Sequence, residues 1–216
     1  MSVSVSERIR LAEKKYHRVP QSVVLLAVSK KQPVEKMREL YLAGQKRFAE
    51  NYAQEALKKM PLLTDLDIEW HFIGSIQSNK TKLIAVNFEW VHSINHLEIA
   101  ERLNAQRPAQ LPSLNICIEV NIDYEKTKSG VLPEKVKSFA KELLHYKNLR
   151  LRGLMVIPAK NNSPAAFEKT AQLQKELITT GFELDTLSMG MSADFELAIA
   201  AGSTMVRIGT AIFGER

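Results

Sequence analysis

Short apolar runs alternate with longer amphipathic segments along the chain. The apolar runs are almost uniformly hydrophobic, which is typical of parallel strands covered on both faces. The predicted strands are Val24–Val28, Arg47–Ala49, Ile68–Ile73, Trp90–His92, Asn115–Asn121, Leu151–Ile157, Thr186–Ser188 and Thr204–Ile208. The predicted helices are an N-terminal helix over about Val3–Tyr16, then Val34–Ala43, Ala53–Lys59, Lys80–Val86, Leu97–Asn104, Glu134–His145, Ala165–Thr180 and Asp194–Ala200. The alternation of strands and helices indicates an α/β fold.

The number and order of these elements predict a single (β/α)8 TIM-barrel domain over residues 1–216, with an extra N-terminal helix. The chain ends soon after the eighth strand, at "GTAIFGER", so we expect the eighth helix to be missing or very short and the N-terminal helix to cover that part of the barrel. The competing fold is an open doubly wound sheet, which often has a glycine-rich turn after its first strand. Here the first strand is followed by "SKKQP", which favours the barrel.

Composition narrows the class of protein. Of the 216 residues, 45% are hydrophobic, and no apolar run approaches the roughly 20 residues that span a bilayer. The N-terminus has no apolar signal core, and the one cysteine, Cys117, excludes a disulfide framework. We expect a cytoplasmic protein in which Cys117 is an inert core residue.

The net charge of +6 raises the question of nucleic-acid binding. The lysines and arginines are spread over separate helical segments and are mixed with glutamates, and no aromatic residues are interleaved with them as in single-strand binders. We therefore expect no DNA partner. The basic surface leaves an RNA contact or an acidic protein partner open.

In a barrel, functional groups lie at the C-terminal ends of the strands. The last two predicted strands end in "SMGMSADFELA" and "RIGTAIFG", at the position where barrels often bind phosphate. The first segment offers the hydroxyls of Ser188 and Ser192 and the flexible Gly190, and the second offers Gly209 and Thr210. Together these segments predict an anion site, although each alone is compatible with ordinary turn and cap chemistry.

Arg207 interrupts the apolar run "MVRIG" and is predicted to lie near the barrel interior, where a guanidinium needs a partner. Two interpretations stay open at this point. One is a structural ion pair with a carboxylate such as Glu50 or Glu119. The other is a hydrogen bond to a heteroatom of a ligand.

Lys30 follows the first predicted strand, next to the strand that completes a closed barrel. Partial desolvation at a barrel mouth favours the neutral amine, which can form a Schiff base with an aldehyde. A ligand with both an aldehyde and a phosphate, such as pyridoxal 5′-phosphate (PLP), would join Lys30 to the anion site. Lys31 is the rival, but alternation along a strand gives Lys30 the direction of Leu26 and Val28, which we take to face inward.

The chain resembles, over essentially its whole length, the YggS/PROSC family of PLP homeostasis proteins. The matching segments are "LLAVSKKQP", "RFAENYAQEALKK", "WHFIGSIQSNK", "LNICIEVNIDYEKTKSG", "LRGLMVIPA" and "LSMGMSADFELAIAAGSTMVRIGTAIFG". The resemblance implies a fold like the barrel domain of alanine racemase, with PLP bound covalently to Lys30 as an internal aldimine.

The same resemblance implies roles for six further residues. Ser188, Gly209 and Thr210 would hold the phosphate, and Arg207 would face the pyridine nitrogen. Asn51 and His71 match the pocket lining of the family. Two departures from the family pattern are Lys31 after "SK" and a tail of only two residues after "IFG", and the short tail bears on how the pocket closes.

Two functions of different classes are compatible with this family. One is a carrier that stores or buffers PLP, maintains vitamin B6 and amino-acid homeostasis, and supplies apo PLP-dependent enzymes. The other is a PLP-dependent amino-acid racemase, which needs acid–base groups on both faces of the substrate. Lys30 can serve one face. The racemase takes the opposite tyrosine from a second domain of a partner subunit, which this sequence does not contain, and Tyr52 and Tyr124 lie in no recognisable catalytic motif. The sequence therefore favours a non-enzymatic carrier and a monomer.

Overall fold

The structure, a computed structural model, describes residues 4–159 and 162–214. Within them, parallel strands close into a barrel in which each strand pairs with the next along the chain and β8 pairs with β1. The strands are β1 (Val24–Val28), β2 (Arg47–Glu50), β3 (Glu69–Phe72), β4 (Trp90–Ile94), β5 (Leu114–Val120), β6 (Leu149–Val156), β7 (Thr186–Ser188) and β8 (Met205–Ile208). The predicted (β/α)8 barrel is thus confirmed.

Helices cover the outside of the barrel. They are α1 (Val5–Lys15), α2 (Val34–Leu42), α3 (Ala53–Lys59), α4 (Thr81–Asn87), α5 (Leu97–Gln106), α6 (Pro133–Leu143), α7 (Ser163–Thr179), α8 (Phe195–Ala200) and α9 (Thr210–Phe213). The short α9 matches the expectation of a very short eighth helix. The predicted start of α1 at Val3 lies outside the described residues. In the part of the chain that the structure describes, no helix combines the length and apolar composition needed to cross a membrane.

The N-terminal helix α1 takes the place of a full eighth helix. Its buried residues Ile9 and Ala12 pack in one cluster with Phe195 of α8 and with Val206 and Ile208 of β8. A four-residue α9 cannot cover that surface of β8. The apolar side of α1 therefore closes the outer layer of the barrel where the first and last strands meet.

The side chains of β1 alternate between two apolar clusters. Leu26 and Val28 pack with Ala49 of β2 and Met205 of β8, whereas Ala27 belongs to the larger core between strands and helices. The first cluster joins residues from neighbouring strands and excludes the helices, so it lies in the barrel lumen. This alternation sets the direction of the residues that follow β1.

Candidate functional site

The C-terminal ends of β1 and β8 lie side by side. Ala27 pairs with Ile208, and a β-carbon placed on the next residue, Gly209, would lie 3.4 Å from the carbonyl oxygen of Val28. Lys30 follows β1 by two residues. The loop that carries Lys30 and the start of α9 therefore meet at one edge of the barrel mouth.

The two consecutive lysines after β1 differ in environment. Lys30 is half-buried, whereas Lys31 is exposed. Lys31 has a positive φ of 59°, and its backbone N–H donates a hydrogen bond to the carboxylate of Glu55. Lys30 has the parity of the lumen-facing Leu26 and Val28. The chain thus turns at Lys31, and the alternation of β1 predicts that Lys30 is the lysine nearer the lumen.

A buried polar network anchors the residue before Lys30. The Ser29 hydroxyl donates to Oε1 of Glu50 at 2.7 Å. The Lys59 ammonium donates to the same Oε1 and to the carbonyl oxygen of Ser29, both at 2.8 Å, and to Glu55 at 2.6 Å. Burial raises the pKa of Glu50, and the hydrogen bond from Lys59 opposes that shift. The network fixes the backbone from which Lys30 projects.

The loops after β7 and β8 form a candidate anion cradle. The backbone N–H of Ala211 donates to the hydroxyl of Ser192 at 3.4 Å. Gly209 and Thr210 begin α9, and the first N–H groups of a helix have no acceptor within that helix. Gly190 has a φ of +96°, and a β-carbon there would lie 2.6 Å from a side chain of α8, so only glycine fits. The cradle combines a hydroxyl with backbone donors.

Ser188, which the resemblance assigns to the phosphate, lies in the barrel lumen. It is the last residue of β7, has no exposed surface, and its hydroxyl contacts Nδ1 of His92 at 2.8 Å. The same oxygen accepts a hydrogen bond from Arg207 at 2.8 Å. The structure therefore does not bring Ser188 together with Gly209 and Thr210, because its side chain points into the lumen. The hydroxyl found beside α9 is that of Ser192.

Arg207 is buried in the lumen and bonded to the walls of the barrel. Its guanidinium donates to the carbonyl oxygen of Ser188 and, at 2.9 Å, to that of Val156. Burial lowers its pKa to about 10, so it stays charged at neutral pH. No described ion pair includes Arg207; Glu119 adds only longer-range attraction, and Glu50 pairs with Lys59 instead. The ion pair considered from the sequence is absent from the described contacts.

His71 is also in the barrel interior rather than at the mouth. It is fully buried, with Nε2 2.8 Å from Glu69 Oε1 and Nδ1 2.9 Å from Nε2 of His92. Glu69 is the first residue of β3, at the N-terminal end of the barrel. None of the described contacts joins His71 directly to the mouth, and its pocket-lining role stays a prediction.

Asn51 follows β2 and does lie at the C-terminal side of the barrel. It lines a cavity of about 340 Å³ together with Tyr52 and Gly74. A β-carbon on Gly74 would lie 2.0 Å from the carbonyl oxygen of Asn51, so the two loops are in close contact. Within the described residues, the buried Oδ1 of Asn51 has no hydrogen-bond partner. It is an acceptor available to a ligand that carries a donor.

Comparison with known proteins defines the class. A family model described as "Alanine racemase, N-terminal domain" matches residues 6–216. The crystal structure of alanine racemase from Corynebacterium glutamicum superposes with a TM-score of 0.70 over 96% of this chain and 59% of that chain, at 18% sequence identity. The chain is therefore a barrel of the alanine racemase N-terminal domain type.

More similar relatives cover nearly their whole length with this chain, and two of them share one name. A pyridoxal phosphate homeostasis protein of Pseudomonas aeruginosa is 52% identical over 213 residues, which cover 98% of this chain and 93% of the relative. That of Escherichia coli K12 is 48% identical over 219 residues, 98% of this chain and 94% of the relative. PipY of Synechococcus elongatus, solved with PLP bound, has 37% identity and a TM-score of 0.84 over 95% of this chain and 99% of that chain. This chain belongs to the pyridoxal phosphate homeostasis protein family, as its resemblance predicts.

Proposed function

We propose that this protein binds PLP covalently at Lys30 and carries and buffers the cofactor without robust catalysis, maintaining intracellular vitamin B6 and amino-acid homeostasis. The observation behind the proposal is the meeting of a half-buried lysine and an anion cradle at one edge of the barrel mouth. When bound, PLP supplies an aldehyde carbon that an amine can attack. The Lys30 amine would add to it, a carbon–nitrogen double bond would form, and water would leave.

The residues at the mouth fit the phosphate end of this ligand. The N–H groups of Gly209 and Thr210 and the hydroxyl of Ser192 would hold the phosphate, because free N–H donors at a helix start favour anions. We assign the hydroxyl role to Ser192 in place of Ser188, whose oxygen is engaged by His92 and Arg207.

Two further residues fit the ring. Arg207 lies beneath the mouth, buried and charged, and would face the pyridine nitrogen and keep it unprotonated. Asn51 offers its buried Oδ1, which has no hydrogen-bond partner among the described residues and would suit the ring hydroxyl as a donor. His71 would not contact the ring itself but would act through its hydrogen bond to His92.

The carrier function is favoured over racemisation by the surroundings of the tyrosines. Racemisation needs a second acid–base group opposite Lys30. Tyr124 donates its hydroxyl to Glu134 of α6 at 3.1 Å, and Tyr52 is exposed at the start of α3. The relatives that span nearly the same length are named homeostasis proteins. We propose that apo PLP-dependent enzymes receive the cofactor and that the carrier is a monomer.

The test is the visible spectrum and intact mass of purified protein supplied with PLP, before and after borohydride. We expect a Schiff-base band that reduction abolishes, with the mass of one reduced cofactor fixed at Lys30. Lys30→Ala should lose both signals, and the matched Lys31→Ala should keep them. No added mass after reduction would refute covalent binding, and rapid exchange of the alanine Cα proton would refute the non-catalytic part.

A further inference from the structure

One continuous chain of hydrogen bonds crosses the barrel lumen. Arg207 Nη1 lies 2.8 Å from the Ser188 hydroxyl, which lies 2.8 Å from Nδ1 of His92. Nε2 of His92 is 2.9 Å from Nδ1 of His71, whose Nε2 is 2.8 Å from Glu69. We call this chain of hydrogen bonds from Arg207 to Glu69 the relay. Strands β4 and β7, which carry His92 and Ser188, are not neighbours, so the relay spans the lumen. It joins the candidate cofactor site to the N-terminal end of the barrel.

The two ends fix the direction in which the relay runs. A guanidinium N–H can only donate, so the Ser188 oxygen must accept from Arg207. Hydrogen bonds from His71 and Arg47 lower the pKa of Glu69, so its carboxylate is ionised at neutral pH and can only accept. Every hydrogen in between must therefore point from Arg207 towards Glu69.

The imidazoles complete this arrangement if both are neutral. Burial lowers the pKa of His71, and burial together with the charge of Arg207 lowers that of His92 well below 6.5. A neutral imidazole has one donor and one acceptor. Both rings then carry their hydrogen on Nε2, and the Ser188 hydroxyl donates to Nδ1 of His92. Each donor in the relay finds one acceptor.

Charged groups surround the relay at each end. At the N-terminal end, Arg47 lies 3.1 Å from Glu69, whose side chain is 36% exposed and so reaches solvent. At the other end, Asp194 and Glu119 attract Arg207 from a distance. In the middle, His71 stacks on Trp90 with ring centroids 5.3 Å apart. The rings are therefore held by packing as well as by hydrogen bonds.

We propose that His71 and His92 are positioning residues for Arg207, holding its guanidinium beneath the cofactor ring through this one-directional relay. The proposal rests on the proposed function in that Arg207 faces the PLP ring nitrogen. It gives the two histidines and Ser188 a role that does not require contact with the ligand. Glu69, on the far side of the lumen, supplies the terminal acceptor.

The direction of the relay also couples its members. If His71 takes up a proton, both of its nitrogens donate, and His92 must turn to its other tautomer. The Ser188 oxygen then faces two donors, His92 and Arg207, and its own hydrogen loses its acceptor. A proton taken up at the N-terminal end of the relay thus changes the hydrogen bonding of the Arg207 guanidinium.

The first test uses the protein without cofactor. Two-bond ¹H–¹⁵N spectra of ¹⁵N-histidine-labelled protein at pH 7.5 distinguish the tautomers. We expect His71 and His92 both as Nε2–H tautomers, identified by their loss in His71→Gln and His92→Gln. An Nδ1–H tautomer or an imidazolium at either position would overturn the proposal. This result does not depend on PLP binding, so it separates the relay from the proposed function.

The second test asks whether Arg207 depends on the relay. In PLP-loaded protein, Ser188→Ala and His92→Gln should shift the absorbance maximum and raise the dissociation constant several-fold. Ser188→Ala removes the hydroxyl, and His92→Gln puts its amide at the Nε2 position and leaves no acceptor at the Nδ1 position that Ser188 contacts. His92→Asn should be closer to wild type, because its amide oxygen can replace Nδ1 as the acceptor for Ser188. Met155→Leu, a buried lumen substitution outside the relay, is the control for packing. Unchanged spectra and affinity in Ser188→Ala and His92→Gln would refute the positioning role.

Discussion

The ammonium group of Lys59 lies 2.8 Å from Oε1 of Glu50, and both side chains are buried beneath the loop that carries Lys30. Removing the carboxylate leaves a buried ammonium whose remaining partners, among the described residues, are Glu55 and the Ser29 carbonyl. We expect Glu50→Ala to lower the free energy of unfolding by about 3 kcal/mol, which urea unfolding measures. The Ser29 hydroxyl also loses its 2.7 Å hydrogen bond to Glu50 and keeps the longer one, 3.3 Å, to the carbonyl oxygen of Ala49, so PLP binding should weaken as well.

Two variants control this experiment. Glu55 pairs with the same lysine but is more exposed, so Glu55→Gln should cost less than about 1 kcal/mol. The double variant Glu50→Leu, Lys59→Met removes both charges and should recover most of the stability lost in Glu50→Ala. Equal losses in Glu50→Ala and Glu55→Gln would contradict the assignment of Glu50 as the principal partner.

The roles of Ser192 and Ser188 can be separated by comparing PLP with pyridoxal, which lacks the phosphate. If Ser192 holds the phosphate, Ser192→Ala should weaken PLP by about 1 kcal/mol, roughly fivefold, and leave pyridoxal unchanged. Ser188→Ala should weaken both ligands alike, because it acts through Arg207 and the ring. Fluorescence titration of wild type and both variants gives the six dissociation constants. If Ser188→Ala weakened the binding of PLP but not of pyridoxal, the phosphate would be assigned to Ser188.

The barrel was predictable because buried parallel strands are marked by short, uniformly apolar runs. The same alternation predicts that Lys30 faces the lumen with Leu26 and Val28, and that direction stays a prediction. Ser188 and Ser192 could not be told apart in the same way. The two are four residues apart, and only the end of β7 after Ser188 decides which hydroxyl enters the lumen.

Contacts across the lumen could not be predicted from the sequence, for a different reason. His92 and Ser188 are 96 residues apart and lie on strands that are not neighbours, so no local pattern relates them. Glu50 was a candidate partner for Arg207 because it lies near the end of β2. Its parity turns it away from the lumen, towards Lys59 on α3.

The packing of α1 in place of an eighth helix should contribute measurably to the free energy of unfolding. Ile9 is fully buried against α8 and β8. We expect Ile9→Ala to lower the free energy of unfolding by about 3 kcal/mol in urea unfolding, since it leaves a cavity between α1 and the barrel. Leu11→Ala, on the exposed side of the same helix, should change it by less than about 0.5 kcal/mol. Similar losses at both positions would mean that α1 is stabilised by something other than this face.

The buried histidines predict how stability depends on pH. An unfolded histidine has a pKa near 6.5, whereas burial puts that of His92 well below this value in the folded protein. As pH falls below about 6.5, the unfolded chain therefore binds more protons than the folded one, and the free energy of unfolding decreases. Each excess proton contributes about 1.4 kcal/mol per pH unit.

Urea unfolding of wild type and His92→Asn between pH 5.5 and 8 isolates this contribution, because the carboxylates common to both cancel in the difference. As pH falls, the free energy of unfolding of the wild type should decrease faster than that of His92→Asn, and the difference in slope should approach one proton. His17→Asn is the control and should follow the wild type, because His17 is exposed and asparagine tolerates its positive φ. Parallel curves for wild type and His92→Asn would show that His92 takes up its proton in the folded state, which the one-directional relay does not allow.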